Sequence, residues 1–415
     1  MSIYVAWTLV CAALVILMTP GLAFFYGGLV KSKSVVSMMM LSFGSIVVVA
    51  ILYVLYGASQ IGSEGGGYFG NPFDDFGLSS IAQGANGEAF EATQVEQLFE
   101  GGNFADHAFL VAFCIITVAL VSGAVADRAR FWPWMLFAAL FGTLVVFPTF
   151  RWLWGGSGWL AENVFGLGGA YDWAGGTIIH QSAGAAALAL ALVLGRRKAG
   201  FSKEEAAPHN VPLVLIGAAI LWFGWFGFNT GVYGSNLDQT GLIFLNTLIT
   251  PAAAALGYIV IETFKDGKAT AVGAASGIVA GLVAITPACA YLTPIWAIVL
   301  GLVAGAVCAF AIDLKYKLGY DDSLDVVGLH LVAGFIGCIY VGLFASVEVE
   351  GIFMGGGASL FGAQLVSSLF VIAYSFIVTF VIGTAIEKTI GFRATEEDEI
   401  AGIDTVLHGE GYALD

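Results

Sequence analysis

Two histidines carry the chemistry this chain is equipped to do. His180 and His330 each stand eight residues after an aspartate, in Asp172-Trp-Ala-Gly-Gly-Thr-Ile-Ile-His180 and Asp322-Ser-Leu-Asp-Val-Val-Gly-Leu-His330, and each lies well inside a long apolar run. No other Asp, Glu, Lys, Arg or His sits so deep in such a run. An ionisable side chain inside hydrocarbon is costly, so it points to function by default. Neutral imidazole has one donor and one acceptor nitrogen. Two facing rings can therefore share a proton between one pair of nitrogens and offer the other pair to a small polar solute. A fixed positive charge at that depth costs several kcal/mol of desolvation, roughly, even after relaxation, so a neutral hydrogen-bonding solute suits the pair better. Small neighbours on each helical face, Gly176 and Gly184 beside His180 and Gly334 and Gly337 after His330, leave room for close helices and a cavity. The plainer alternative has each imidazole bonding a neighbouring helix backbone. A metal is disfavoured, because two histidines without a nearby carboxylate or thiolate cluster make an incomplete site.

The elements that must position these histidines are membrane helices. The chain has 415 residues, of which 59% are hydrophobic and only 11% charged. The mean hydropathy of +0.89 is spread along its whole length. This is the composition of an all-α polytopic membrane protein. Apolar stretches long enough to span a core of about 30 Å occur eleven times, at 3–29, 34–61, 104–126, 131–149, 173–195, 211–230, 240–262, 270–286, 293–312, 324–346 and 358–387. They lack barrel-strand alternation, so they are read as helices. The N-terminal run has no basic region before it and is too long for a signal peptide, so it is taken as a retained first span. When the connections are assigned alternately to two sides, fourteen of the fifteen Lys and Arg fall on one side and only Arg151 on the other. The positive-inside rule then sets the N-terminus outside and the C-terminus in the cytoplasm of a multi-pass cell-membrane protein. In that topology the fifth span runs inward from Asp172 and the tenth runs outward from Asp322. At about 1.5 Å per residue each histidine lies about 12 Å from its own face, near the midplane. Spans one to five against six to ten form an inverted repeat with the substrate site between them, and the eleventh span lies outside it.

Other residues carry weaker signals. His107, His209 and His408 fall at a helix end, in a loop and in the tail, where solvation suffices. The five cysteines have no paired spacing, so no disulfide framework or zinc site is expected. No cofactor is implied, and the net charge of −15 disfavours nucleic-acid binding. Asp172 directly precedes its helix, where it caps free N–H groups or assists a cation at the outer mouth; Asp322 and Asp325 are read as caps. Most aromatics belong to lipid-facing belts, but Trp154, Trp225 and Phe228 stand in glycine-rich company that suits a pore. The outer connection 63–103 has many acids and no base, and either attracts cations mildly or is simply solvated. Residues 1–388 are read as the transmembrane domain and 389–415 as a charged tail.

In this company the chain resembles the ammonium transporter family (Amt, Mep and Rh). The markers are Pro20-Gly-Leu-Ala-Phe-Phe-Tyr-Gly-Gly28, Ala126-Asp-Arg-Ala-Arg-Phe131, the two Asp-His segments, Gly224-Trp-Phe-Gly-Phe-Asn229, Thr286-Pro-Ala-Cys289 and the tail His408-Gly-Glu. The tail and the Trp-Gly-Gly segment fit the Amt branch better than Rh. The resemblance implies a homotrimer with a pore in each eleven-helix protomer. It implies ammonium recruitment outside among Phe113, Trp154, Phe228 and Asp172, an outer gate of Phe113 and Phe228, and a hydrophobic lumen lined by His180 and His330. It further implies deprotonation before passage, with the proton conveyed separately; K⁺, which has no proton to lose, is excluded by a dry lumen. Where relatives often carry a serine after Phe-Asn-x-Gly, this chain has Val232, which removes a hydroxyl from the mouth. The tail is implied to dock beneath the trimer and to meet a PII-type regulatory protein, a solvated tail being the alternative. The expected function is therefore transport of ammonium, with methylammonium as a second substrate, across the lipid bilayer without nucleotide hydrolysis. An ammonium sensor signalling through the tail is the second hypothesis. An enzyme is disfavoured, since neither a nucleophile nor a metal set accompanies the histidines.

Overall fold

The computed structural model describes residues 3–63, 68–79, 104–155, 158–198, 200–203, 207–232 and 237–412. Among them the structure is helical, apart from one isolated bridge between Ala129 and Arg393. The membrane-crossing helices are α1 (Ile3–Leu29), α2 (Val35–Gly62), α3 (Phe104–Val125) and α4, which runs from Phe131–Phe141 through a wide turn at Gly142–Val146 into Phe147–Trp154. They continue with α5 (Gly176–Leu194), α6 (Val211–Thr230), α7 (Gln239–Asp266), α8 (Ala271–Ile285), α9 (Pro294–Leu318), α10 (Val327–Phe344) and α11 (Ala358–Thr389). Ten of these are long and apolar enough to cross a membrane by themselves. The exception is α8, whose 15 residues rise only about 22 Å. It stops at Pro287, which has no N–H to continue the helical bonding, and the chain stays buried through a compact turn to Leu292.

The two halves pack as equivalents. The leading helices α1 and α6 lie along one another; α1 also packs on α2 and α3, and α6 on α7 and α8, while α3 meets α5 as α8 meets α10. This is the neighbour pattern of an inverted repeat. Absent side chains allow the central contact: a Cβ on Gly217 of α6 would lie 2.2 Å from the backbone nitrogen of Phe25 on α1. The last span, α11, stands outside the repeat and packs on α5 and α10.

Several polar residues are more engaged than the sequence suggests. His107 is half-buried, with its Nδ1 2.9 Å from the Tyr53 hydroxyl. His209 Nδ1 donates to the Val30 carbonyl (2.8 Å), and His408 meets the Phe131 ring edge-on. None of the three is merely solvated, because helix ends from distant parts of the chain converge on each. Arg151 is buried and donates to the Ile61 and Ser63 carbonyls at the end of α2 (3.1 and 2.6 Å). Of the acidic connection, Asp74 and Asp75 are described; Glu64, Glu88, Glu91, Glu96 and Glu100 lie outside the described residues.

The tail is docked on its own chain. Thr395 caps the short helix α12 (Glu396–Ala401) by accepting the Asp398 N–H, 3.2 Å. Glu399 accepts the Lys198 N–H (2.9 Å) and pairs with Arg393, whose guanidinium donates to the Leu194 and Arg196 carbonyls (2.7 and 2.8 Å). Asp404 accepts the N–H groups of Val36 and Ser37 (3.0 and 2.7 Å), so the tail supplies the cap that Ser34 does not give α2.

Candidate functional site

The site begins with how its two helices start. Before α5, Gly175 adopts φ +102°, where a Cβ is strained. The Asp172 carboxylate accepts the N–H groups of Gly175, Thr177 and Ile178 at 3.2, 2.9 and 3.2 Å, satisfying donors that an opening helix leaves free. Burial raises this carboxyl to about 6, against the pull of those same N–H groups. The first turn of α5 is wide, of the π type: the His180 N–H donates to the carbonyl of Gly175, five residues back, at 3.1 Å. The second copy repeats the device. Asp322 accepts the Val327 N–H at 2.7 Å, and a π turn over Val327–Leu331 carries His330. A π turn inserts an extra residue and so re-aims the side chains on it.

Aimed in this way, the two imidazoles meet. His180 Nδ1 lies 3.2 Å from His330 Nδ1, with ring centroids 5.3 Å apart and planes inclined by 23°. Both residues are buried, at 1% and 3% exposure, which water contact alone could not satisfy. One shared proton between the Nδ1 atoms leaves one Nε2 as acceptor and the other as donor. His180 Nε2 has no protein partner. A narrow cavity at the pair is otherwise apolar, walled by Met18, Leu22, Leu120, Leu221, Trp225, Phe228 and Val279.

Of the aromatic residues singled out in the sequence, Trp225 and Phe228 reach this point, and Phe113 and Trp154 continue from them. The Trp225 ring lies nearly parallel to His180 at 5.3 Å, and Phe228, one turn further along α6, is 6.0 Å from His180. Phe228 stacks on Phe113 of α3 at 4.2 Å, and Phe113 meets Trp154 at 5.7 Å. The Trp154 indole donates to the Asp172 carbonyl (2.9 Å), tying this column to the cap of α5. A column of aromatic rings thus runs from the Asp172 cap to the histidines, with Phe113 and Phe228 stacked in the middle of it. Val232 is buried just past the end of α6. The walls Leu120 and Val279 carried no signal of their own in the sequence; Thr286, whose hydroxyl accepts the Trp225 indole N–H at 2.8 Å, stood out there only within the Thr286-Pro-Ala-Cys289 marker, with no role attached. Among the described residues no group of three or more His, Cys, Asp or Glu could hold a metal ion.

The ammonium transporter family model matches residues 6–412. The chain belongs to the ammonium transporter family. An ammonium transporter of Mycobacterium tuberculosis (strain H37Rv) is 46% identical over 98% of this chain and 89% of its own length. The crystal structure of Candida albicans Mep2 superposes with a TM-score of 0.85 at 32% identity, covering 95% of this chain and 87% of that one. A solved sensor Amt protein gives a TM-score of 0.87 at 26% identity, covering 98% of both chains. As a member of the ammonium transporter family, this is a multi-pass membrane protein and not an enzyme.

Proposed function

We propose that this ammonium transporter recruits ammonium at the aromatic mouth, strips its proton there and conducts ammonia past the paired histidines, the proton travelling separately. The observation that carries this reading is the His180–His330 contact at 3.2 Å inside an otherwise apolar cavity. Such a lumen offers hydrogen bonds to a neutral amine and nothing to compensate a fixed charge. Phe113, Trp154 and Phe228 give a cation π-faces on arrival, worth ~0.5–2 kcal/mol, enough to recruit without trapping. Asp172 adds negative charge behind them, and the stacked Phe113 and Phe228 act as the outer gate. The distribution of Lys and Arg supports an outside N-terminus in the cell membrane. The family resemblance supports a homotrimer. Exposed apolar residues on α7 and α9, such as Leu256, Phe264, Ile295 and Phe310, need lipid or a second copy to cover them. Methylammonium fits as a second substrate, and the docked tail offers a contact for a PII-type regulator.

Ammonium-induced current in proteoliposomes tests the reading. Wild type should give current with ammonium and none with K⁺, and His180→Ala should lower it on the order of 100-fold, the scale of losing a few kcal/mol of buried hydrogen bonding. Comparable K⁺ current, or an unaffected variant, would refute it. A second reading, an ammonium sensor signalling through the tail, is favoured by the similarity to a sensor Amt protein and by a tail bonded to three connections of its own chain. Tight ammonium binding without flux would select it.

A further inference from the structure

Thr286 belongs to a segment that the conduction reading leaves without a task. It ends α8 as a fully buried residue, 0% exposed, beside the cavity wall. Its hydroxyl donates its one hydrogen to the Leu282 carbonyl (2.8 Å), which leaves a lone pair to accept the Trp225 indole N–H, also at 2.8 Å. Indole nitrogen is a donor only, so this contact satisfies it completely. The Thr286 carbonyl in turn accepts the Ala174 N–H (3.2 Å), in the stretch that leads into the His180 turn. A Cβ on Gly176 would strike Pro287 at 2.5 Å, so that turn is seated directly on the residue after Thr286. The Thr286 hydroxyl therefore holds the ring stacked on His180, while its backbone carbonyl and Pro287 seat the approach to the helix that carries His180.

We propose that Thr286 is a positioning residue for conduction: it pins the Trp225 ring flat against His180 and keeps the lumen wall free of an unpaired donor. Without the hydroxyl, the buried indole N–H has to turn toward another acceptor, and a ring that turns leaves the face of His180 and enters the bore. This inference rests on the reading of the histidine pair as the conducting site. Thr286 does not itself touch the solute.

The test is a mutant cycle in proteoliposomes, reading maximal ammonium current and the half-saturating concentration. Thr286→Val keeps the branched shape and deletes the acceptor; it should lower the maximal current about 10-fold, the scale of one lost buried hydrogen bond. The half-saturating concentration should stay unchanged, because recruitment occurs above the gate. Thr286→Ser should stay within about 2-fold of wild type, since it restores the acceptor. In a Trp225→Phe background, which has no indole donor, Thr286→Val should add no further loss. Equal damage in both backgrounds, a failed serine rescue, or a valine variant matching wild type overturns the proposal. If Thr286→Val is not recovered from the membrane, Thr286→Ala is judged by the same cycle. His180→Ala separates the two claims: if it leaves current intact, the conduction reading falls and this inference with it. If it abolishes current while Thr286→Val does not change it, only the inference falls.

Discussion

The two Asp-His turns are copies of one device, yet they are held in place differently. The Asp172 carboxylate is satisfied locally, by three N–H groups of its own turn. Asp322 accepts the Val327 N–H, and its Oδ1 has no hydrogen-bond partner. The chain around Asp322 is held instead by distant cations. Lys315, although buried, donates to the Asp322 carbonyl and pairs with Asp325 at 2.7 Å. Next door, Asp321 takes Arg197, which also pairs with Asp127 (2.9 and 2.8 Å), and its carbonyl takes Arg128. Burial would lower the Arg197 guanidinium, but Asp127 and Asp321 more than offset it and leave it raised; burial likewise pushes Asp321 up, and Arg128 and Arg197 bring it below the usual carboxylate range. Arg197 follows Arg196, whose carbonyl is gripped by Arg393 of the tail. The carboxylate that caps the His180 turn thus needs no distant ion, although the backbone beside it is held by Trp154 and Thr286. The turn that presents His330 depends on three other segments, those of Lys315, Arg197 and Asp127–Arg128, and the tail bonds two of them.

The comparison breaks most readily at Arg197. Replacing it by alanine leaves buried Asp321 without its partner, a loss of about 3–5 kcal/mol, to be read as a lower unfolding temperature in detergent. Amide hydrogen exchange should then rise at Val327–Leu331 and hardly at Gly176–Gln181; equal loosening of both turns would show that the copies are held alike. A smaller effect concerns pH. Burial raises both Asp172 and Asp322 to about 6, opposed by backbone N–H groups in the first and chiefly by Lys315 in the second. Asp172 is charged above that pH, so ammonium current should be full above about 6 and fall as the N-terminal face is acidified through it. Asp172→Asn should be weaker and lack that step, while Asp322→Asn should retain it. The smallest effect is at the tail: Asp404→Ala removes the cap of α2, about 1 kcal/mol, and should expose the tail to protease while leaving most of the current.

How much of this was legible depends on distance along the chain. Hydropathy located the eleven crossings to within a few residues, and the matched spacing of Asp172 to His180 and Asp322 to His330 pointed to a meeting near the midplane. The π turns were not legible, because they depend on which carbonyl a buried N–H reaches and not on composition. Nor was the engagement of His107 with Tyr53, or of the tail with Val36 and Ser37, since partners separated by 54 or more than 360 residues leave no periodic trace.

Sequence by itself determined that the chain crosses a membrane many times and buries two imidazoles at matched depth, because the cost of polar groups in hydrocarbon is written into each residue's own chemistry. Only the tertiary structure decided that these rings touch, that the Trp225 indole bonds Thr286, and that buried cations hold the chain around Asp322 while the Asp172 carboxylate is satisfied by its own turn. Those are hydrogen bonds of fixed length and direction between remote segments, and they exist only once the helices have packed.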